Sequence, residues 1–232
     1  MPQIIIDDYK TEIIQTLFNG VMATYVGSTP GHVAEFGTMT GMTAEALALG
    51  IAKSEETFLQ HSAASGLLGR ELHLFDSFAG LPKITEATDA DSFHVRDGVW
   101  GEGVCKGVSA ETLRGMVERH LQPADRIRIF EGWYSDTVKT IPAPTRYAFV
   151  HIDCDLYAST RDVLDGLFSR GLVSKGAYLY FDDYNCNRGD PQLGERRAWA
   201  ECIEKYAVSF SDCGGYGLCS HRFLVHDYRG AE

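Results

Sequence analysis

Five short β-rich runs alternate with helical stretches along most of this chain, and that alternation limits the folds open to it more than any other feature. The runs are His32–Gly37, Glu71–Phe78, Arg126–Glu131, Arg146–Asp153 and Ala177–Asp182. Helical patterns fill the gaps at Thr43–Gln60, Ala110–His120 and Ser159–Ser169, the last with Val163, Leu164, Leu167 and Phe168 on its apolar side. Strand–helix–strand spacing of this kind predicts a parallel sheet with helices on both faces. After Asp182 the pattern changes. A helix at Gly194–Tyr206 is followed by VSFSD, a glycine-rich turn (CGGYGLCS) and HRFLVHD. Two strands joined by a short turn must run antiparallel, so the sheet is expected to end in a hairpin.

Five parallel strands plus a terminal hairpin describe a seven-stranded α/β sheet of the Rossmann-like, class I methyltransferase type better than the six-stranded dinucleotide fold. The 232 residues suit one domain, 1–232. Two parts stand outside the alternation. Asp7–Tyr25, within an N-terminal helical segment 1–30, reads as an amphipathic helix with Ile13, Ile14, Leu17, Phe18 and Val21 on one face, suited to a dimer contact or a pocket lid. Residues 79–109 lack periodicity and hold Trp100 and many carboxylates. A loop that long inside a compact domain is usually functional, so it is expected to be a substrate-side insertion or lid.

Composition removes several classes. With 44% hydrophobic and 23% charged residues the chain is expected to be globular, not disordered. A net charge of −11 argues against nucleic acid as a partner, and no apolar run is long enough to span a membrane. The six cysteines form no C-x-x-C pair, and Cys154 lies in an apolar strand, so a reduced, cytoplasmic setting is expected.

The chemistry-bearing residues cluster at predicted strand ends, where open parallel sheets bind ligands. Glu35-Phe-Gly37-Thr-Met-Thr-Gly41 follows the first strand. Its E-x-G-x-x-x-G spacing differs from the G-x-G-x-x-G that holds a pyrophosphate. A ligand without phosphates, such as S-adenosylmethionine, suits the looser turn. Glycines needed only for the turn would give the same string. Asp76 ends the second strand, where it can bind ribose hydroxyls or cap a helix. Gly132 and Trp133 end the third, where Trp133 can border an adenine or belong to the core. Asp153 and Asp155 end the fourth strand, and Asp182 and Asp183 the fifth. Carboxylates ~4 Å apart repel by about 4 kcal/mol at an effective dielectric near 20, so such a group calls for protonation or a hard cation, Mg2+ before Ca2+. Alternatively Asp155 and Asp183 face solvent as helix caps. His151, two residues before Asp153, is weighed as a base but fits a core histidine better.

The blocks EFGTMTG, FDSFAGLP (Phe75–Pro82), EGWYSDTV (Glu131–Val138), HIDCDLYAST (His151–Thr160) and FDDYN, in that order, resemble the macrocin O-methyltransferase (TylF-type) family. The resemblance runs from about Glu35 to Asn185. It implies S-adenosylmethionine- and Mg2+-dependent methylation of sugar hydroxyls on natural products. It further implies cofactor contacts at Glu35, Gly37, Thr38, Met39, Asp76, Ser77 and Trp133, metal ligands at Asp153, Asp182 and Asp183, and Asp153 as base. Gly41 and Gly132 join the cofactor set through close backbone approach, and Asp155 joins Asp153 as a catalytic candidate. Catechol O-methyltransferases carry a basic lysine three positions after the first metal ligand. Leu156 stands there in this chain, which disfavours catechol chemistry.

The acceptor is expected to be a small hydroxylated molecule, a glycoside or sugar, in a chain that can form a homodimer. Tyr157, Tyr184, Asn185, Asn187 and Arg188 are placed to touch it, and Asp89, Asp91, Asp97 and Glu102 read as a solvated acidic stretch. Two other functions compete. One is a metal-dependent nucleotide-sugar glycosyltransferase using Asp153 and Asp155 as a D-x-D. The other is a catalytically dead binding module.

Overall fold

A computed structural model of the chain describes residues 3–58 and 67–230, the first six of them as backbone. Seven strands form one sheet: β1 (His32–Phe36), β2 (Leu72–Asp76), β3 (Ile127–Glu131), β4 (Tyr147–Ile152), β5 (Val173–Phe181), β6 (Ser209–Tyr216) and β7 (Ser220–Asp227). Their order is β3-β2-β1-β4-β5-β7-β6. Strands β1 to β5 pair in parallel, while β7 runs antiparallel to both β5 and β6. The expected seven-stranded class I methyltransferase sheet with a terminal hairpin is therefore what the chain forms.

The helices are α1 (Gln3–Val26), α2 (Met42–Phe58), the single turns α3 (Ala87–Ala90) and α4 (Phe93–Arg96), α5 (Ala110–Glu118), the single turn α6 (Tyr134–Thr137), α7 (Tyr157–Ser169) and α8 (Gly194–Tyr206). Two apolar layers sandwich the sheet. Ile13, Leu17 and Val21 of α1 join Leu47, Ile51, Leu113 and Phe149 on one face, and Val163, Leu167, Phe168 and Trp199 join Val150 and Phe181 on the other. All six residues of β4 are buried, as a central parallel strand requires.

Several boundaries shift for physical reasons. The buried face of α1 is Ile13, Leu17, Val21 and Tyr25, while Ile14 lies outside it at 36% exposure. Gly20 faces the sheet so closely that a Cβ there would come within 2.5 Å of the Phe149 ring. That face is spent on the core. β5 starts at Val173, four residues earlier than expected, and α7 starts at Tyr157 rather than Ser159. Asp212 to Gly215 form an irregular stretch within the hairpin strands, so part of the glycine-rich segment is strand and not turn. The predicted end of the second helix at Gln60 lies outside the described residues.

Candidate active site

Strands β1 and β4 are neighbours from which the chain departs to opposite sides, so their carboxyl ends open a crevice. A cavity of about 650 Å3 occupies it. Its walls include Gly37, Met39, Asp76, Ser77, Gly132 and Trp133 on one side and Asp153, Asp155, Asp182 and Asp183 at the centre. Residues of the 79–109 segment, from Gly80 to Asp89 and again at Glu102 and Cys105, cover it from the third side.

Gly37 is fixed by its neighbours. Its φ of +95° lies in the left-handed region, and a Cβ would fall 1.9 Å from the carbonyl oxygen of Asp153. The β1 and β4 tips can meet only with glycine there. Asp76 braces the same turn from β2. Its Oδ2 accepts the N–H of Thr38 at 2.8 Å, the Thr38 hydroxyl at 2.9 Å and the N–H of Met39 at 3.3 Å. Its Oδ1 accepts the N–H of Phe78 at 2.7 Å. Asp76 therefore lines the cavity and shapes the loop beside it, and it caps no helix. Trp133 is 43% exposed, with its ring at the cavity wall instead of in the core.

Three residues of the expected cofactor set do not line the cavity. Thr38 is buried and bound to Asp76, and Gly41 packs toward Leu113 and Met116 of α5. Glu35 lies beside His151 in the β1–β4 register, and its Oε1 is 2.9 Å from His151 Nδ1 with both side chains fully buried. Glu35 Oε2 and His151 Nε2 have no hydrogen-bond partner among the described residues. His151 is thus a core histidine beneath the site.

The acidic group does converge. One carboxylate oxygen each from Asp153, Asp155 and Asp183 lie within 4.8 Å of one another. Asp182 lines the same cavity, and its Oδ1 accepts the Ser220 hydroxyl at 3.1 Å. The carboxyls sit deep in the fold yet open to the cavity. Burial first, then Asp182 and Asp183, push Asp153 well above the usual carboxylate range. Burial and then Asp183 and Asp182 do the same to Asp155. Asp183 is pushed up to about 7, by burial and then by Asp182. Among the described residues none of the four acids is ion-paired to a lysine or arginine. Arg161, on the same cavity wall, is paired instead with Glu86 at 3.0 Å and Asp162 at 3.2 Å.

This donor set fits a small hard cation. It offers oxygen only, and it is anionic. Pairs of charges within 4.8 Å of one another repel by about 3 kcal/mol or more at an effective dielectric near 20, which a divalent ion would offset.

Two buried acids escaped the sequence reading. Glu195 of α8, fully buried, accepts the N–H of Cys154 through Oε1 at 3.2 Å and the N–H of Asp183 through Oε2 at 3.0 Å. It clips the β4 and β5 tips together. Asp89, expected in a solvated stretch, is 3% exposed and accepts the N–H groups of Tyr157 at 2.7 Å and Ala158 at 3.1 Å. The acceptor expectation also needs correction, because none of Tyr157, Tyr184, Asn185, Asn187 and Arg188 lines the cavity. The Tyr157 hydroxyl donates to Glu201 at 2.7 Å, Asn187 is 2% exposed beneath Ser92, and Arg188 lies over the Phe93 ring. Lys83, Glu86, Ser159 and Arg161 line that side instead.

The sequence profile of the macrocin-O-methyltransferase (TylF) family matches residues 14–193. An 8-demethyl-8-(2,3-dimethoxy-alpha-L-rhamnosyl)-tetracenomycin-C 4'-O-methyltransferase from Streptomyces olivaceus is 34% identical over 125 residues, 52% of this chain and 44% of the relative. A mycinamicin III 3''-O-methyltransferase from Micromonospora griseorubida is 31% identical over 155 residues, 67% of this chain and 56% of the relative. The chain spans about half the length of the curated relatives it matches. Among solved structures, that of the O-methyltransferase NovP superposes with a TM-score of 0.70 at 24% identity, covering 92% of this chain and 79% of that one, a likeness of fold.

Proposed function

The chain belongs to the macrocin O-methyltransferase family, and from that premise we propose that it transfers a methyl group from S-adenosylmethionine to a hydroxyl of a sugar or sugar-containing natural product. One observation carries this reading: the acidic cluster and the braced Gly37–Met39 turn open into the same cavity. The relatives named above support the acceptor class, since one of them names a rhamnosyl group.

When bound, S-adenosylmethionine supplies the methyl on a sulfonium, and Mg2+ supplies positive charge that draws hydroxyl oxygens and lowers their pKa. Asp153 and Asp183 of the cluster, with Asp182 from the same cavity wall, would hold the ion. The remaining work belongs to the chain. Asp76, Ser77 and Trp133 form the nucleoside side of the cavity, with the aromatic face of Trp133 open to it. The Asp155 carboxylate, with an oxygen within 4.8 Å of oxygens of Asp153 and Asp183, would accept the proton released by the acceptor hydroxyl. The 79–109 segment excludes water on the acceptor side, and the volume left beside the nucleoside orients the hydroxyl toward the methyl. The D-x-D reading of Asp153 and Asp155 leaves the glycine turn and Trp133 unexplained, and the intact cluster argues against a dead module.

Methyl-labelled S-adenosylmethionine, incubated with a panel of glycosides and Mg2+, tests the reading. Label is expected in the glycoside fraction, and Asp155→Asn is expected to reduce it by about 100-fold while S-adenosylhomocysteine still binds. No label with any acceptor would refute the activity, and undiminished label in EDTA would refute the role of the ion.

A further inference from the structure

The 79–109 segment is a packed body with its own anchor points. Its base is closed by hydrogen bonds from the Leu81 N–H to the Val104 carbonyl at 2.7 Å and from the Gly103 N–H to the Leu81 carbonyl at 2.9 Å. Leu81 and Trp100 pack with Leu156, the residue after Asp155, in a small apolar cluster. From this body Asp89 reaches the first turn of α7. That helix has Leu156 at its N-cap and no side-chain cap bond of its own, so its first two N–H groups are taken by a carboxylate 68 and 69 residues earlier in the chain.

The consequence falls on Asp155. Its φ of +59° places a non-glycine residue in the left-handed region. The stretch holding it is pinned at both ends, with the Cys154 N–H on Glu195 and the Tyr157 and Ala158 N–H groups on Asp89. Between those pins lie only Asp155 and Leu156, and the Leu156 N–H turns back to the Cys154 carbonyl at 2.5 Å. The strained backbone is held by two buried carboxylates, one of them supplied by the segment that roofs the acceptor side.

We propose that Asp89 is a positioning residue that acts through Asp155, holding it in its left-handed conformation within the cluster it forms with Asp153 and Asp183, so that seating of the 79–109 segment and alignment of the proton acceptor are a single event. This rests on the methyl transfer proposed above. A purely structural anchor would give a different pattern, because its loss would lower melting temperature and cofactor binding without passing through any one site residue.

Asp89→Asn keeps the side-chain shape but offers one oxygen to two N–H groups. In the full-length protein it is expected to lower kcat about tenfold or more, with the Kd for S-adenosylhomocysteine changed by less than about twofold. In an Asp155→Asn background the same substitution is expected to cost less than about twofold, since its effect runs through the missing carboxylate. Losses that multiply in the double variant, or a single variant with wild-type kcat, would overturn the proposal. Asp89→Ser replaces the asparagine variant if that chain does not fold, and Asp91→Asn, an exposed position paired with Arg96, serves as the control expected to leave kcat unchanged. Amide hydrogen exchange with S-adenosylhomocysteine bound decides independently of turnover. Tyr157 and Ala158 are expected to exchange about tenfold faster in Asp89→Asn, and unchanged rates there would overturn the proposal. If the wild-type protein methylates no acceptor, the functional reading falls, and the exchange rates still decide whether Asp89 fixes this loop.

Discussion

Replacing Glu195 tests how the two acidic strand tips are kept together. The residue is fully buried, and each of its oxygens accepts one backbone N–H, from Cys154 beyond β4 and from Asp183 beyond β5. Glu195→Gln leaves an oxygen for one N–H and turns an NH2 group toward the other. One unsatisfied buried N–H costs about 1–3 kcal/mol. Burial and Asp183 hold the Glu195 carboxyl well above its usual range, so removing this acid also relieves a repulsion and places the Gln variant toward the low end. Glu195→Ala strands both N–H groups and leaves a void, roughly 3–6 kcal/mol in total. At about 2–4 °C per kcal/mol for a domain of this size, the melting temperature is expected to fall by roughly 2–12 °C for Gln and 6–24 °C for Ala. Scanning calorimetry on both variants, alongside methyl transfer by the survivors, reads the effect. An Ala variant that melts with the wild type and keeps its turnover would refute the clip.

Two further outcomes follow from the same geometry. Asp183 is raised from 3.8 to about 7, so between those values the folded chain holds more protons than the unfolded one. The ion-free protein is therefore expected to lose stability as pH rises through that window, and the gain in melting temperature from Mg2+ is expected to be larger at about pH 8 than at about pH 5.5, because protons and cation compete for the same oxygens. A gain independent of pH, measured by thermal melts in matched buffers, would contradict the assignment. Gly37→Ala would put a Cβ 1.9 Å from the Asp153 carbonyl at a φ of +95°, so it is expected to abolish folding or S-adenosylhomocysteine binding, and near-normal calorimetric binding would count against direct contact between these strand tips.

What could be read from the sequence was governed by chemistry that is local in the chain. Apolar runs ending in Gly37, Asp76, Asp153 and the Asp182–Asp183 pair mark strand tips, because burial and turn formation act on adjacent residues. Residues that act across the fold carry no such mark. Glu195 stands 12 residues after Asp183, beside Arg196 and Arg197, in what looks like the charged face of a solvated helix. Asp89 is hidden among other acids of its segment, and only its docking on α7 separates it from the exposed Asp91. Tyr157 was misplaced because α7 begins two residues earlier than its apolar pattern suggests, which turns the hydroxyl toward Glu201. For Glu35 the strand period was right but the partner was missed: His151 sits opposite it in a register that no single sequence displays.

The central claim is that the β4 and β5 tips form a divalent-ion site beside the methyl-donor cavity. Titration calorimetry of Mg2+ into the full chain saturated with S-adenosylhomocysteine tests it most directly. The expected result is one ion bound per chain, abolished by Asp183→Asn while S-adenosylhomocysteine affinity persists. Wild-type protein that takes up no ion, or a variant that binds it as well, would contradict the account.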